Sequence, residues 1–129
     1  MIAAPHDGYI FTLCDVIRET SYEIHRYLRG GFTEKIYENA LAHRLRKKGV
    51  RVELQQLVRV FDEDGTLLGL LRTDLLVEKT LICEVKACSA LVEAHAAQLL
   101  GYLRASRIEH GLLINFGGSK LEIKKYILT

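Results

Sequence analysis

Apolar residues recur at helical spacing in the early part of the chain and at strand spacing through its middle. Over residues 9–28, Leu13, Val16, Ile17, Ile24, Tyr27 and Leu28 form a helical stripe, which Arg29-Gly30-Gly31 ends. A second stripe, with Ile36, Tyr37, Ala40, Leu41 and Leu45 inward, predicts a helix over 33–48. Gly49 closes it after a basic last turn of Arg46, Lys47 and Lys48 that suits the helix dipole. The period then changes. Residues 50–61 place Val52, Leu54, Leu57, Val58, Val60 and Phe61 as a strand would, with an irregularity near Gln55-Gln56, and Asp62-Glu63-Asp64-Gly65 reads as a turn. Strands over 67–77 and 81–87 follow, joined by a tight turn at Glu78-Lys79-Thr80. Ser89 is the expected N-cap of a third helix, with Val92 and Glu93 opening it, that runs to Ser106. A strand over 110–116, a Gly117-Gly118-Ser119 turn and a last strand over 121–128 complete the chain. The order α-α-β-β-β-α-β-β predicts an α/β domain: a three-stranded meander, then a crossover helix leading to further strands of a mixed sheet, with helices on both faces. There is no repeat or linker, and 129 residues are expected to form one domain over 1–129.

Composition narrows the class. Hydrophobic residues are 49% and charged residues 26%, an ordinary globular mix, and a net charge of +2 does not by itself argue nucleic-acid binding. No apolar run is long enough to span a bilayer. The start, MIAAPHDGYIF, lacks the basic head and long apolar centre of a secretory signal. The three cysteines, Cys14, Cys83 and Cys88, form no CxxC pair and read as reduced, small buried residues, so a cytoplasmic location and no zinc are expected.

The charges in the strand pair stand out. In LLRTDLLVEKTLICEVKA (70–87), a turn centred on Lys79 sets Asp74 opposite Glu84. Glu84 and Lys86, two apart, share one sheet face, and Asp74 shares it through pairing. Two opposed carboxylates repel, and a divalent cation turns that cost into a site; hard oxygen ligands suit Mg²⁺ or Mn²⁺. Lys86 beside them can orient a water or offset charge developing on a phosphate. The competing reading is an exposed, salt-bridged surface. Against it, Glu84-Val85-Lys86 is embedded in the apolar run LICEVKA, where charges need partners. Glu34 heads the stripe of the second helix, either facing the core edge or simply favoured by the helix dipole. In the third helix, His95, Gln98 and Tyr102 share one polar face, which an ordinary solvated helix would also show.

Together these residues resemble a known signature. Asp74, Glu84-Val85-Lys86 and Gln98-Leu99-Leu100-Gly101-Tyr102 look like the D…(D/E)xK…QxxxY pattern of the PD-(D/E)xK, restriction-endonuclease-like nuclease superfamily. Gly31-Phe32-Thr33-Glu34-Lys35-Ile36-Tyr37 resembles the motif of the GxxExxY protein family, a bacterial branch of it. The resemblance covers residues 10–128, including AQLLGYL (97–103) and GLLINFG (111–117). It implies the restriction-endonuclease-like mixed sheet and a metal-dependent phosphodiesterase site. Asp74 and Glu84 would bind Mg²⁺ or Mn²⁺ with the carbonyl of Val85, and Glu34 would complete or orient the metal shell. Lys86 would position the attacking water, and Gln98 and Tyr102 would hold the lysine or a nucleic-acid phosphate. Thr73 stands where the superfamily's name has proline, and three cysteines in unlike positions argue against the iron–sulfur cluster of some QxxxY nucleases.

The expected partner is nucleic acid, DNA ahead of RNA, with Arg44, Arg46, Lys47, Lys48, Arg51 and Arg72 as candidate phosphate contacts. The basic run over 44–48 is equally consistent with a solvated helix end. A homo-oligomer, a dimer or larger, is expected because cutting two strands needs two sites. The alternatives are a non-catalytic assembly protein that keeps the fold, with the last strand as a pairing edge, and a module that grips phosphate through metal without cutting.

Overall fold

The computed structural model describes residues 5–129. The first helix, α1 (Pro5–Leu28), buries Ile10, Leu13, Cys14, Ile17 and Ile24 along one face. Thr20 and Ser21 lie on that face too, and each hydroxyl donates back to a carbonyl one turn earlier, Val16 and Ile17, both at 2.7 Å. Tyr27, expected inward, is 78% exposed, because its position has rotated off the stripe that Ile24 and Leu28 continue.

The link to α2 (Glu34–Lys47) explains two residues of the Gly31–Tyr37 segment. Arg29 and Gly31 both take positive φ, 58° and 109°, and the second of these favours a residue without a Cβ. Tyr37 is fully buried, and its hydroxyl donates to the Arg29 carbonyl while accepting from the Phe32 amide at 3.3 Å. Its ring stacks on Phe116, centroids 4.8 Å apart. Tyr37 thus closes the interhelical loop onto the sheet. Ile36, expected inward, is instead 44% exposed; the buried face runs through Tyr37, Glu38, Leu41, Ala42 and Leu45.

A five-stranded sheet follows in the order β1 (Val52–Phe61), β2 (Leu67–Val77), β3 (Leu81–Lys86), β4 (His110–Asn115), β5 (Glu122–Ile127). Only β3 and β4 are parallel, because α3 (Glu93–Ser106) carries the chain across between them; the other neighbours are antiparallel. Helices α1 and α2 cover one face with a core that includes Leu75, Cys83, Val85 and Leu112. Helix α3 covers the other with Ile82, Leu99, Leu103 and Leu113. This is the layered mixed sheet that the sequence pattern predicts.

Local corrections have physical causes. Ser89 is exposed and lies outside α3; the helix starts later, where the His95 ring Nδ1 accepts from the Val92 amide at 3.0 Å. Leu57 and Phe61 are 49% and 57% exposed, since the outer half of the β1–β2 hairpin runs beyond the helices that would cover it. The irregularity expected near Gln55-Gln56 is Gln55 itself, at φ 54° between the pairs Leu54–Leu75 and Gln56–Thr73.

Candidate active site

The sheet's alternation places the charged residues. On β3, Leu81, Cys83 and Val85 point into the α1–α2 core, so Ile82, Glu84 and Lys86 point to the α3 side. On β2, Leu75 and Val77 face the first core and Leu76 the second, which puts Asp74 on the α3 side as well. Asp74, Glu84 and Lys86 therefore share one face. They lie toward the C-terminal end of β3 in the parallel β3–β4 pair, where crevices open in sheets with crossover helices.

The backbone ladder between β2 and β3 runs through Val77–Leu81, Leu76–Ile82 and Leu75–Cys83. Beyond Leu75 side chains take over. The Val85 amide donates to Asp74 Oδ2 at 2.8 Å, and the Asp74 amide donates to Glu84 Oε1 at 3.3 Å. Each acid thus accepts a bond from the other strand's backbone, which holds both carboxylates in the gap. Glu84 is only 3% exposed. Burial, and after it the charge of Asp74, pushes its carboxyl up to about 9.

Lys86 is half-buried, and its Nζ donates to Gln98 Oε1 at 3.1 Å. Gln98 is exposed on α3, and Tyr102 lies one turn further along the helix, packed beside the α3 core. Burial raises the Tyr102 hydroxyl above its ordinary value, and the charges of Glu84 and Asp74 add to this. Asp74, Glu84, Lys86, Gln98 and Tyr102 are therefore brought to one place.

Glu34 stands at the margin of this place, near enough for its charge to act on Glu38. It is exposed in the first turn of α2, where an acid suits the helix dipole. The acid of α2 that meets the sheet is Glu38, one turn on and 5% exposed. Its Oε1 accepts from Gln55 Nε2 at 2.6 Å, and the left-handed Gln55 brings that amide to it. Burial raises its carboxyl, the charge of Asp74 raises it further, and the Gln55 bond works the other way. Glu38 stands at helical core spacing before Leu41, Ala42 and Leu45, a signal readable in the sequence.

Two of the basic residues expected to meet phosphates are engaged within the fold. Arg46 donates to the Val52 carbonyl at 2.7 Å, and Lys48 Nζ donates to Thr20 Oγ1 at 2.7 Å and pairs with Glu23 at 3.0 Å. Arg44 sits over the Tyr27 ring at 5.9 Å, while Lys47, Arg51 and Arg72 are exposed.

A divalent cation can be tested against this donor set. Among the described residues, no group of three or more His, Cys, Asp or Glu side chains is placed to hold a metal. Two carboxylates and a backbone carbonyl are nevertheless the kind of partial, all-oxygen set on which Mg²⁺ keeps waters and takes substrate phosphate oxygens. The residues fit.

The model of the PD-(D/E)XK nuclease superfamily matches residues 12–126. Among solved structures, the one titled "Crystal structure of SSO0001" matches at 19% identity with a TM-score of 0.61. The match covers 72% of this chain and 48% of that one, so the chain spans about half the length of that protein, and the likeness is one of fold. No curated protein matches.

Proposed function

This chain belongs to the PD-(D/E)XK nuclease superfamily, and from that premise we propose that it is a metal-dependent nuclease hydrolysing phosphodiester bonds in DNA. The observation that carries the reading is the joint placement of Asp74, Glu84 and Lys86 on one sheet face, with Lys86 held by Gln98. Bound Mg²⁺ or Mn²⁺ supplies Lewis-acid activation of water and neutralises phosphate charge. Asp74 and Glu84 would hold it together with the Val85 carbonyl. Lys86 orients the attacking water and offsets the negative charge developing on the phosphate. Gln98 fixes the ammonium through its amide oxygen, leaving the other Lys86 protons for water and phosphate. Tyr102, neutral at physiological pH, offers a hydroxyl to a phosphate oxygen. On this reading the helix-borne acid that orients the metal shell is Glu38, with Glu34 further out on the same helix. The working form we propose is a homo-oligomer, since two strands need two sites.

The test is cleavage of linear, circular and single-stranded DNA with Mg²⁺ or Mn²⁺. Wild type is expected to cut, while Asp74→Ala and Lys86→Ala each lose at least about a hundredfold. A folded wild-type protein that cuts none of these substrates overturns the reading in favour of a non-catalytic protein that retains the fold.

A further inference from the structure

A groove of ≈ 620 Å³ begins at Gln98, the residue that holds Lys86, and runs to the outer part of the β1–β2 hairpin. Tyr102 and Arg104 line it from α3, Val60, Phe61 and Leu71 from the hairpin. Three features give it a shape that the fold alone does not demand. The β1–β2 register slips between Val60 and Phe61, and a bulge of this kind re-aims a side chain. Gly69, opposite Val60, has open space where a Cβ would stand. On the α3 side Gly101 offers no side chain, and an Arg104 guanidinium nitrogen comes within 3.9 Å of where its Cβ would be. An aromatic ring, a phenol and a guanidinium thus line a mostly apolar slot beside Lys86.

Resting on the nuclease reading, we infer that this groove binds one unpaired nucleobase a few nucleotides along the strand from the scissile phosphate, stacked on Phe61 and capped by Arg104. The occupant follows from the chemistry and the position. A flat aromatic base fits between a ring and a guanidinium plane, and such stacking is tolerant of base identity. The groove starts at Gln98, which holds Lys86, and leads away from the acids along the hairpin, so a single strand crossing the site runs on into it. A base within a duplex cannot enter without leaving its stack, so the groove favours single-stranded substrate.

The experiment uses the full chain in EDTA, with a single-stranded oligonucleotide carrying 2-aminopurine as the fluorescent base, and the same oligonucleotide with an abasic residue. Wild type and Lys86→Ala are expected to quench the fluorophore on binding. Phe61→Ala and Arg104→Ala, both at exposed positions, are expected to lose the quenching and to bind about tenfold or more weakly, with no loss on the abasic strand. Unchanged binding and quenching by both variants overturns the groove, and so does duplex DNA competing as well as single strands. A Phe61→Ala change that alters sedimentation while leaving nucleic-acid binding intact also overturns it, by assigning the face to a second copy. Parallel cleavage assays separate the two claims. Quenching without wild-type cleavage keeps the groove and sinks the nuclease reading, whereas wild-type cleavage that Phe61→Ala leaves untouched does the reverse.

Discussion

Glu84 carries the largest cost at the site: a carboxylate buried beside a second acid, with its pKa near 9 when no cation is bound. Below the ordinary carboxylate range, folded and unfolded chains are both protonated there, and the stabilising difference is fully present. As pH rises from about 4.5 toward 9, the unfolded chain releases a proton that the folded chain keeps, so the metal-free fold loses stability across that window. Glu38, also raised by burial, contributes with the same sign. Thermal denaturation in EDTA is therefore expected to give a midpoint that falls steadily between pH 5 and 9. Glu84→Gln is expected to flatten most of that slope and to raise the midpoint at the alkaline end by about 5 °C, while abolishing cleavage. A midpoint that rises with pH in the wild type would contradict the picture of two crowded acids. The repulsion itself was legible in the sequence, because the pairing of Asp74 with Glu84 follows from the hairpin turn. The part played by Glu38 was legible only in pieces: its core spacing and the irregularity at Gln55-Gln56 show in the periodicity, but the bond that the left-handed Gln55 makes to it does not.

At the scale of elements, the site is held by the place where the β3–α3 connection meets the β4–β5 turn. Asn115 ties these together: its Oδ1 accepts from the Cys88 and Gly117 amides, both at 3.0 Å, and its Nδ2 donates to the Cys88 carbonyl and to Glu122. A Cβ on Gly117 would lie 2.4 Å from the Cys88 nitrogen and 2.5 Å from the Ala87 carbonyl carbon, so only glycine allows this approach. Gly117→Ala is expected to cost about 2 kcal/mol or more and to lower the urea midpoint accordingly. Because the displaced backbone directly follows Lys86, cleavage should fall in the folded fraction as well. A variant with wild-type stability and activity would show that the approach is not needed. Element order and type were readable from periodicity, since strands and helices here are amphipathic or buried in the ordinary way. Ends and facings were less so. Tyr27, Ile36, Leu57 and Phe61 are apolar yet exposed, and Ser89 has capping chemistry without the cap, because the His95 ring does that work.

For the whole molecule, the two sheet edges differ. Strand β5 carries Lys124 and Lys125 in its centre, and adjacent lysines discourage pairing with a further strand. The other edge is β1, and the outer half of its hairpin with β2 exposes Leu57, Phe61, Leu67, Leu68 and Leu70. This apolar surface borders the groove proposed above. None of the helices among the described residues is long and apolar enough to cross a membrane. The superfamily's fold spans nearly the whole chain, while the matched solved structure has about as much chain again outside the shared part. Cation binding asks about the site before any substrate has to be chosen. The most direct measurement is thus a Mn²⁺ titration followed by electron paramagnetic resonance, with wild type beside Asp74→Asn, Glu84→Gln and Lys86→Ala. Bound Mn²⁺ is expected in the wild type and in Lys86→Ala, with affinity lowered by about tenfold or more in each carboxylate variant. No binding by a folded wild type, or binding that both carboxylate variants retain in full, would contradict the assignment of these two acids to a metal site.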